Sequence, residues 1–409
     1  MKNIGLSKIE KLIEKGVKIH SPRSLEIGDE VDISRISGDD VVIHSGCKIF
    51  GADTLILEGV KLGYEAPVTV DNCQVGPEVE LKGGYFNQSV FLEKAKLGMG
   101  AHVREATILE EQASIAHTVA LKHTILFPFV TLGSLINFCD CLMAGGTSRK
   151  NHSEVGSSYI HFNFTPSQDK ATASLIGDVP RGVMLNQKPI FLGGQGGLVG
   201  PCRLEYGLTA AAGAIVRKDE LRSNRIVFGG AGKEGSIAFT PGRSRNDKRI
   251  IKNNLIYIGN LIALQQWYGQ VRSLFVSNSF PQALLQGLQE KVDMAIEERI
   301  NRLEAVILMK PAYDRNSKPS ETLKQRLQLY ERWSEVRESL TIKKSRGYEV
   351  GLMDGFLEKV LDGISKSGKD YVRVIQGLNP ADAELGTQWL LNVIDDSLIG
   401  VRKIIPSFF

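Results

Sequence analysis

No stretch of roughly 18 consecutive apolar residues occurs in the chain, so no membrane-spanning helix is expected. Cysteine is scarce. Cys47, Cys73, Cys139, Cys141 and Cys202 are odd in number and contain no C-x-x-C pair, which argues against a disulfide framework or a zinc site. Cys139 and Cys141 flank Asp140, and extended backbone would put both thiols on one face; buried structural thiols are expected rather than a reactive pair. A strong excess of one charge is also lacking. Fifty lysines and arginines face 46 acidic residues, a net charge of +4 that is too mild to point to nucleic acid. The N-terminus turns charged at Lys8, Glu10 and Lys11 without the apolar core of a signal peptide, so a cytoplasmic protein without membrane association is expected. Proline is sparse, with 14 residues against 42 glycines, and glycine without collagen periodicity signals many tight turns.

What is present is a six-residue period. Leu97, Val103, Leu109, Ile115 and Leu121 form one unbroken aliphatic run, and Ile43, Ile49 and Leu55 form another. Glycine often follows the aliphatic residue directly, as in Leu62-Gly63, Val75-Gly76, Leu97-Gly98 and Leu132-Gly133. Such a period predicts a left-handed parallel β-helix, in which each hexapeptide gives one short strand and one corner. The aliphatic residue fills the prism, and small or polar residues make the corner. Three hexapeptides close a coil, and coils stack through parallel strand bonds.

The reading along the chain is a connector helix over 1–16, a β-helix over 17–228, a linker over 229–250 and an α-helical domain over 251–409. Weak periodicity at 143–175 and 178–192 suggests loops ejected from corners. Gly229-Gly230-Ala231-Gly232-Lys233 is followed by Glu234, which does not meet the phosphate-loop pattern and reads as a turn. Arg243, Arg245, Lys248 and Arg249 read as a solvated linker. Helix starts are expected at Pro281, Ser320 and Asn379-Pro380. Trp267, Tyr268 and Trp333 read as packing residues.

Three patches carry a family resemblance. Lys11 to Pro22 resembles the connector entering the β-helix of the bifunctional N-acetylglucosamine-1-phosphate uridyltransferase/glucosamine-1-phosphate acetyltransferase family. Val155-Gly156-Ser157-Ser158-Tyr159-Ile160-His161-Phe162-Asn163-Phe164 resembles the coil ending in its Asn-Tyr pair. Ile190 to Asp219 resembles its last acetyltransferase coils, most closely from Leu208 to Asp219. The resemblance covers about 6–220 and implies the acetyltransferase half only. A uridyltransferase activity is not expected of this polypeptide, and the helices after 248 have no counterpart in the family.

The resemblance implies an acyl-CoA-dependent N-acetyltransferase acting on an amino sugar phosphate or sugar nucleotide, with acetyl-CoA in a groove between solenoids of a homotrimer. Asn163 and Phe164 stand at the Asn-Tyr pair, Phe164 lacking the hydroxyl. Lys170 stands near a lysine that meets the sugar phosphate. Gly194 replaces a serine facing the coenzyme, Ala211 matches an alanine whose backbone contacts it, and Lys218 follows in the same coil. The family's Gly-His-Leu-Thr-Tyr segment, which supplies the catalytic base, falls on Cys139 to Met143, so Asp140 replaces the histidine. His152 and His161 are the alternative bases, since a histidine titrates near pH 6.5. Against a catalytic role, His161 could point to solvent from a strand and His152 could sit in a polar loop. Arg149 and Lys150 form a basic turn suited to phosphates. Two readings follow: an acyltransferase, or a non-catalytic sugar-nucleotide-binding or scaffolding solenoid of the same descent.

Overall fold

The computed structural model describes residues 4–165, 170–230, 236, 247–308, 321–344 and 350–408. A helix, α1 (Ile4–Glu14), leads into a three-sided, left-handed parallel β-helix. Among the described residues, the first face stacks eleven short strands from Lys18–Ile19 to Ile226–Val227, and the second stacks ten from Glu26–Ile27 to Ile215–Val216. The third stacks eight, from Leu55–Ile56 to Arg203–Leu204.

The corners explain why a chain with ordinary composition winds this way. Asn72, Gln88, Ala106, His123 and Asp140 have φ of 48°, 45°, 55°, 49° and 59° and lie one above another between the second and third faces. Left-handed backbone disfavours residues with a Cβ, so this column persists because stacked strands on both sides fix each turn. Inside the prism, Leu97, Val103, Leu109, Ile115 and Leu121 are buried as their spacing predicts. The strict six then slips. A coil holds 18 residues where Lys96 pairs with Ser114, but 17 where Ser114 pairs with Thr131.

The excursions are narrower than the sequence suggests. Glu154–Val155, Ile160–Phe162 and Ser174–Ile176 are solenoid strands within 143–175. What leaves the prism is an antiparallel hairpin of Gly146–Ser148 with Asn151–His152, together with the described residues 163–165 and 170–173. Within 178–192, Asp178 caps a single helical turn, α2 (Val179–Gly182), through the Arg181 amide.

The helical region comprises α3 (Asp247–Gln266), α4 (Gln282–Leu308), α5 (Glu321–Glu331), α6 (Trp333–Lys344), α7 (Val350–Ser367), α8 (Tyr371–Gln376) and α9 (Pro380–Ile404). The helix starts expected at Pro281 and Asn379-Pro380 are present, with the Asn379 side chain accepting from the Asp382 amide. Ser320, Arg243 and Arg245 lie outside the described residues. Helix α3 begins at Asp247, so Lys248 and Arg249 are helical, and the Arg249 guanidinium donates to the Pro201 carbonyl at 2.5 Å. No described helix is long and apolar enough to cross a membrane.

These helices cover the third face. Strands Ser89–Phe91, Thr107–Leu109, Thr124–Leu126, Cys141–Met143 and Ser174–Ile176 are buried at every position. Alternation sends Val90, Ile108, Ile125, Leu142 and Leu175 outward, where α4 contacts the first two of these strands and α3 the last. Helix α4 runs along the solenoid axis. Gly287 abuts Gln74 so closely that a Cβ would lie 2.6 Å from its Oε1, and Arg299 meets Asp140 four coils on. Twelve helical residues rise about 18 Å, matching four strand spacings of about 4.8 Å.

Candidate functional site

Asp140 occupies a left-handed corner, a conformation that aspartate tolerates better than most residues. The pairing of Thr124 with Cys141 stacks it directly on His123 of the preceding coil. Its Oδ2 accepts a hydrogen bond from Asn163 Nδ2 at 2.8 Å, and its Oδ1 accepts one from Arg299 Nη2 at 2.7 Å. Asp140 and Arg299 are both buried. Burial pushes the Asp140 pKa up, but the Arg299 charge and the Asn163 amide outweigh it, and the carboxyl lies below its ordinary range. It is therefore an ionised, paired anion and a weak base. Arg299 also donates to the Lys170 carbonyl at 3.4 Å, holding that residue's backbone beside the corner.

His161 is the central residue of strand Ile160–Phe162 and points into the prism, opposite to the exposed placement considered from sequence. Its neighbours Ile160 and Phe162 are the exposed residues, because alternation inverts along the strand. The Cys139 carbonyl can only accept, so Nδ1 donates to it at 2.6 Å. Nε2 is then the lone-pair nitrogen and accepts from Ser174 Oγ at 2.9 Å, while Ser174 Oγ accepts from the Cys202 amide at 3.0 Å. Burial lowers the His161 pKa to about 4 despite the nearby Asp140 charge. Both ring nitrogens are engaged within the fold.

His152 ends the hairpin that leaves the prism between the third and first faces. Its Nε2 lies 3.7 Å from Glu154 Oε2, and its Nδ1 is buried without a partner. At the hairpin tip, the Arg149 guanidinium lies back across the first face. Nη1 donates to the Gln112 and Phe129 carbonyls and to Thr131 Oγ1, and Nη2 donates to Ser114 Oγ. Lys150 beside it is exposed.

The remaining residues fall into two places. Phe164 is 70% exposed, and Lys170 Nζ stands 4.6 Å from its ring centre, next to the Asp140 corner. Gly194, Ala211 and Lys218 lie on the late coils. A Cβ at Gly194 would sit 2.8 Å from the Ser157 carbonyl, which explains why no serine stands there. The Ala211 amide donates to the Val227 carbonyl at 2.8 Å, and Lys218 is exposed. The structure thus gathers Asp140, Asn163, Phe164 and Lys170, and seats His152, Arg149 and Lys150 on a separate hairpin.

Several partners were not found from sequence. Arg299 and Ser174 complete the corner, and His123 beneath it has its pKa lowered to about 4 by burial and by Arg299. Two coils below, the corner residues Glu110 and Glu111 meet Tyr268 and Arg272 at 2.5 Å each. A signal for such docking existed in the apolar outward residues of the third face. All five cysteines are free and buried, with Cys73, Cys139 and Cys202 pushed up to about 12 by burial.

No protein-family model matches the chain. Its N-terminal half is similar to proteins called bifunctional protein GlmU. That from Thermotoga petrophila is 27% identical over 215 residues, 52% of this chain and 42% of the relative. That from Clavibacter sepedonicus is 26% identical over 204 residues, 50% of this chain and 36% of the relative. The match therefore spans less than half the length of these relatives. A solved UDP-N-acetylglucosamine acyltransferase from Campylobacter jejuni aligns with 52% of this chain and 72% of its own, at 13% identity and a TM-score of 0.19. The chain is thus a parallel β-solenoid whose sequence is similar to part of GlmU, followed by a helical region.

Proposed function

We propose that this chain is an acyltransferase-like solenoid that binds a sugar phosphate or nucleotide sugar without transferring an acyl group at the Asp140 corner. The similarity to GlmU supports the ligand class. The observation that carries the non-catalytic part is the engagement of both candidate bases there: His161 holds two internal hydrogen bonds, and Asp140 is paired with Arg299. A base must have a free lone pair within reach of the amine proton it removes. Phe164 also lacks the hydroxyl that the resemblance places beside the acetyl group. Acetyl-CoA as ligand, a homotrimeric assembly and a cytoplasmic location belong to this proposal.

The test is an acyl-transfer assay with acetyl-CoA and glucosamine 1-phosphate, run beside calorimetry with each compound. Binding of the sugar phosphate with no turnover is the expected result. Turnover that disappears in Asn163→Ala would overturn the reading.

One observation favours the catalytic alternative. His152 faces Glu154 and has one buried nitrogen without a partner, so it is not held as His161 is. In that reading the amine attacks the thioester carbonyl, a C–N bond forms, the C–S bond breaks, and His152 passes the amine proton to the departing thiolate. Turnover lost in His152→Asn but retained in His161→Asn would select it.

A further inference from the structure

We infer that the first face of the solenoid carries a second site, for a phosphorylated small molecule held through its phosphates. A groove of about 470 Å³ lies there, ringed by Lys61, Lys94, Lys96 and Arg149 against Glu78 and Glu80. Its volume lies within the range of small-molecule sites. Glu93, paired with Lys94, brings the carboxylates around the four cations to three, which leaves one positive charge in excess to draw the phosphate oxygens of a ligand.

The excess falls on identified residues. Lys61, Glu80, Lys96 and Ser114 are successive partners up the first face. Glu80 is engaged by Lys96 at 3.1 Å, and Lys94 lies 2.5 Å from Glu93 and 3.4 Å from Glu78. Lys61 has no ion pair among the described residues. Arg149 is the stronger observation. Every acceptor around its guanidinium is a neutral oxygen, from Gln112, Phe129, Thr131 and Ser114. Its partial burial lowers its pKa, the signature of a cation desolvated without a counter-ion. The hairpin that carries it is pinned from behind, because Gln376 of α8 donates to the Thr147 and Leu185 carbonyls at 2.7 and 3.2 Å. The guanidinium is therefore held in place over the groove before any ligand arrives, and a planar donor of this kind suits phosphate oxygens.

No aromatic ring lines the groove. Recognition is accordingly through charge and hydrogen bonds, not through stacking of a base. This site lies on a different face from the Asp140 corner and does not depend on whether that corner transfers acyl groups.

The experiment is calorimetry and thermal shift on the full chain with inorganic pyrophosphate, uridine diphosphate and uridine as probes. Pyrophosphate and uridine diphosphate bind with dissociation constants within tenfold of each other, raise the melting temperature by mass action, and lose affinity as salt rises; uridine does not bind. Lys61→Gln weakens both, and the Lys61→Gln/Arg149→Gln pair weakens them at least tenfold, while Lys48→Gln, on the second face, leaves them unchanged. Should Arg149→Gln disturb the hairpin, as a lowered melting temperature without ligand would reveal, Lys61→Gln and Lys96→Gln decide the matter alone. Absence of saturable pyrophosphate binding overturns the inference. So does binding that is indifferent to these variants, or uridine binding as tightly as its diphosphate.

Discussion

Arg299, in the middle of α4, places Nη2 2.7 Å from Oδ1 of Asp140, and so a helix from the C-terminal region supplies the counter-ion to a solenoid corner. Both side chains are almost fully buried, at 2% and 5% exposed. In such a place the pair is costly to break from one side, because the survivor keeps its charge without water.

Arg299→Met should therefore destabilise the protein by about 3–5 kcal/mol in denaturant unfolding. Adding Asp140→Asn to it should restore much of the loss, since the remaining amides can still bond Asn163. Equal stability of the single and double variants would show that the pair is not what holds the corner.

Glu110 gives a pH signature of the helix-to-solenoid junction. Burial and the neighbouring Glu111 raise its pKa to about 8, against the partial opposition of Arg272 and Tyr268. The folded state thus holds a proton that the unfolded chain releases near pH 4.5. That contribution is fully present below pH 4.5 and is lost as pH rises through 8. Glu110→Gln should remove this loss. Relative to wild type it gains stability with rising pH across that window, by at most about 5 kcal/mol, as read by melting temperature at each pH.

His161 titrates in the opposite sense. Its folded pKa of about 4 lies below the unfolded value near 6.5. Its contribution is present above pH 6.5 and is lost as pH falls through 4, by up to about 3 kcal/mol. His161→Gln should be less stable than wild type at pH 7, and the gap should narrow toward pH 4. A gap that stays constant with pH would mean that the ring is not held neutral.

The three faces should respond differently to truncation of outward residues. Ile125→Ala, beneath the helices on the third face, is expected to cost about 2–5 kcal/mol. Lys48→Ala, outward on the second face with an exposed Glu26 partner, should stay within about 0.5 kcal/mol. Urea unfolding of the two variants checks this, and equal effects would contradict the docking described for the helical region.

The six-residue spacing of aliphatics determined the prism, because a short strand and a corner can repeat only if the same side of each strand is apolar. Leu97 to Leu121 follow that rule residue by residue. The period of six speaks for the inward side alone. Val90, Ile108, Ile125, Leu142 and Leu175 carry an equally regular message on the outward side, that one face is covered, and it is visible only once the coils are in register. The shortening from 18 to 17 residues hid that register from any fixed period. Asp140, Asn163 and His161 could be placed near one another by sequence alone, since neighbouring coils stack. Tertiary structure decided their chemistry. The state of a carboxylate or an imidazole depends on what surrounds it in three dimensions, and here Arg299, Ser174 and the Cys139 carbonyl come from a helix, another solenoid strand and a corner. Local pattern specifies repeating backbone because its causes are local; protonation and pairing are set by neighbours far away along the chain, 159 residues in the case of Asp140 and Arg299.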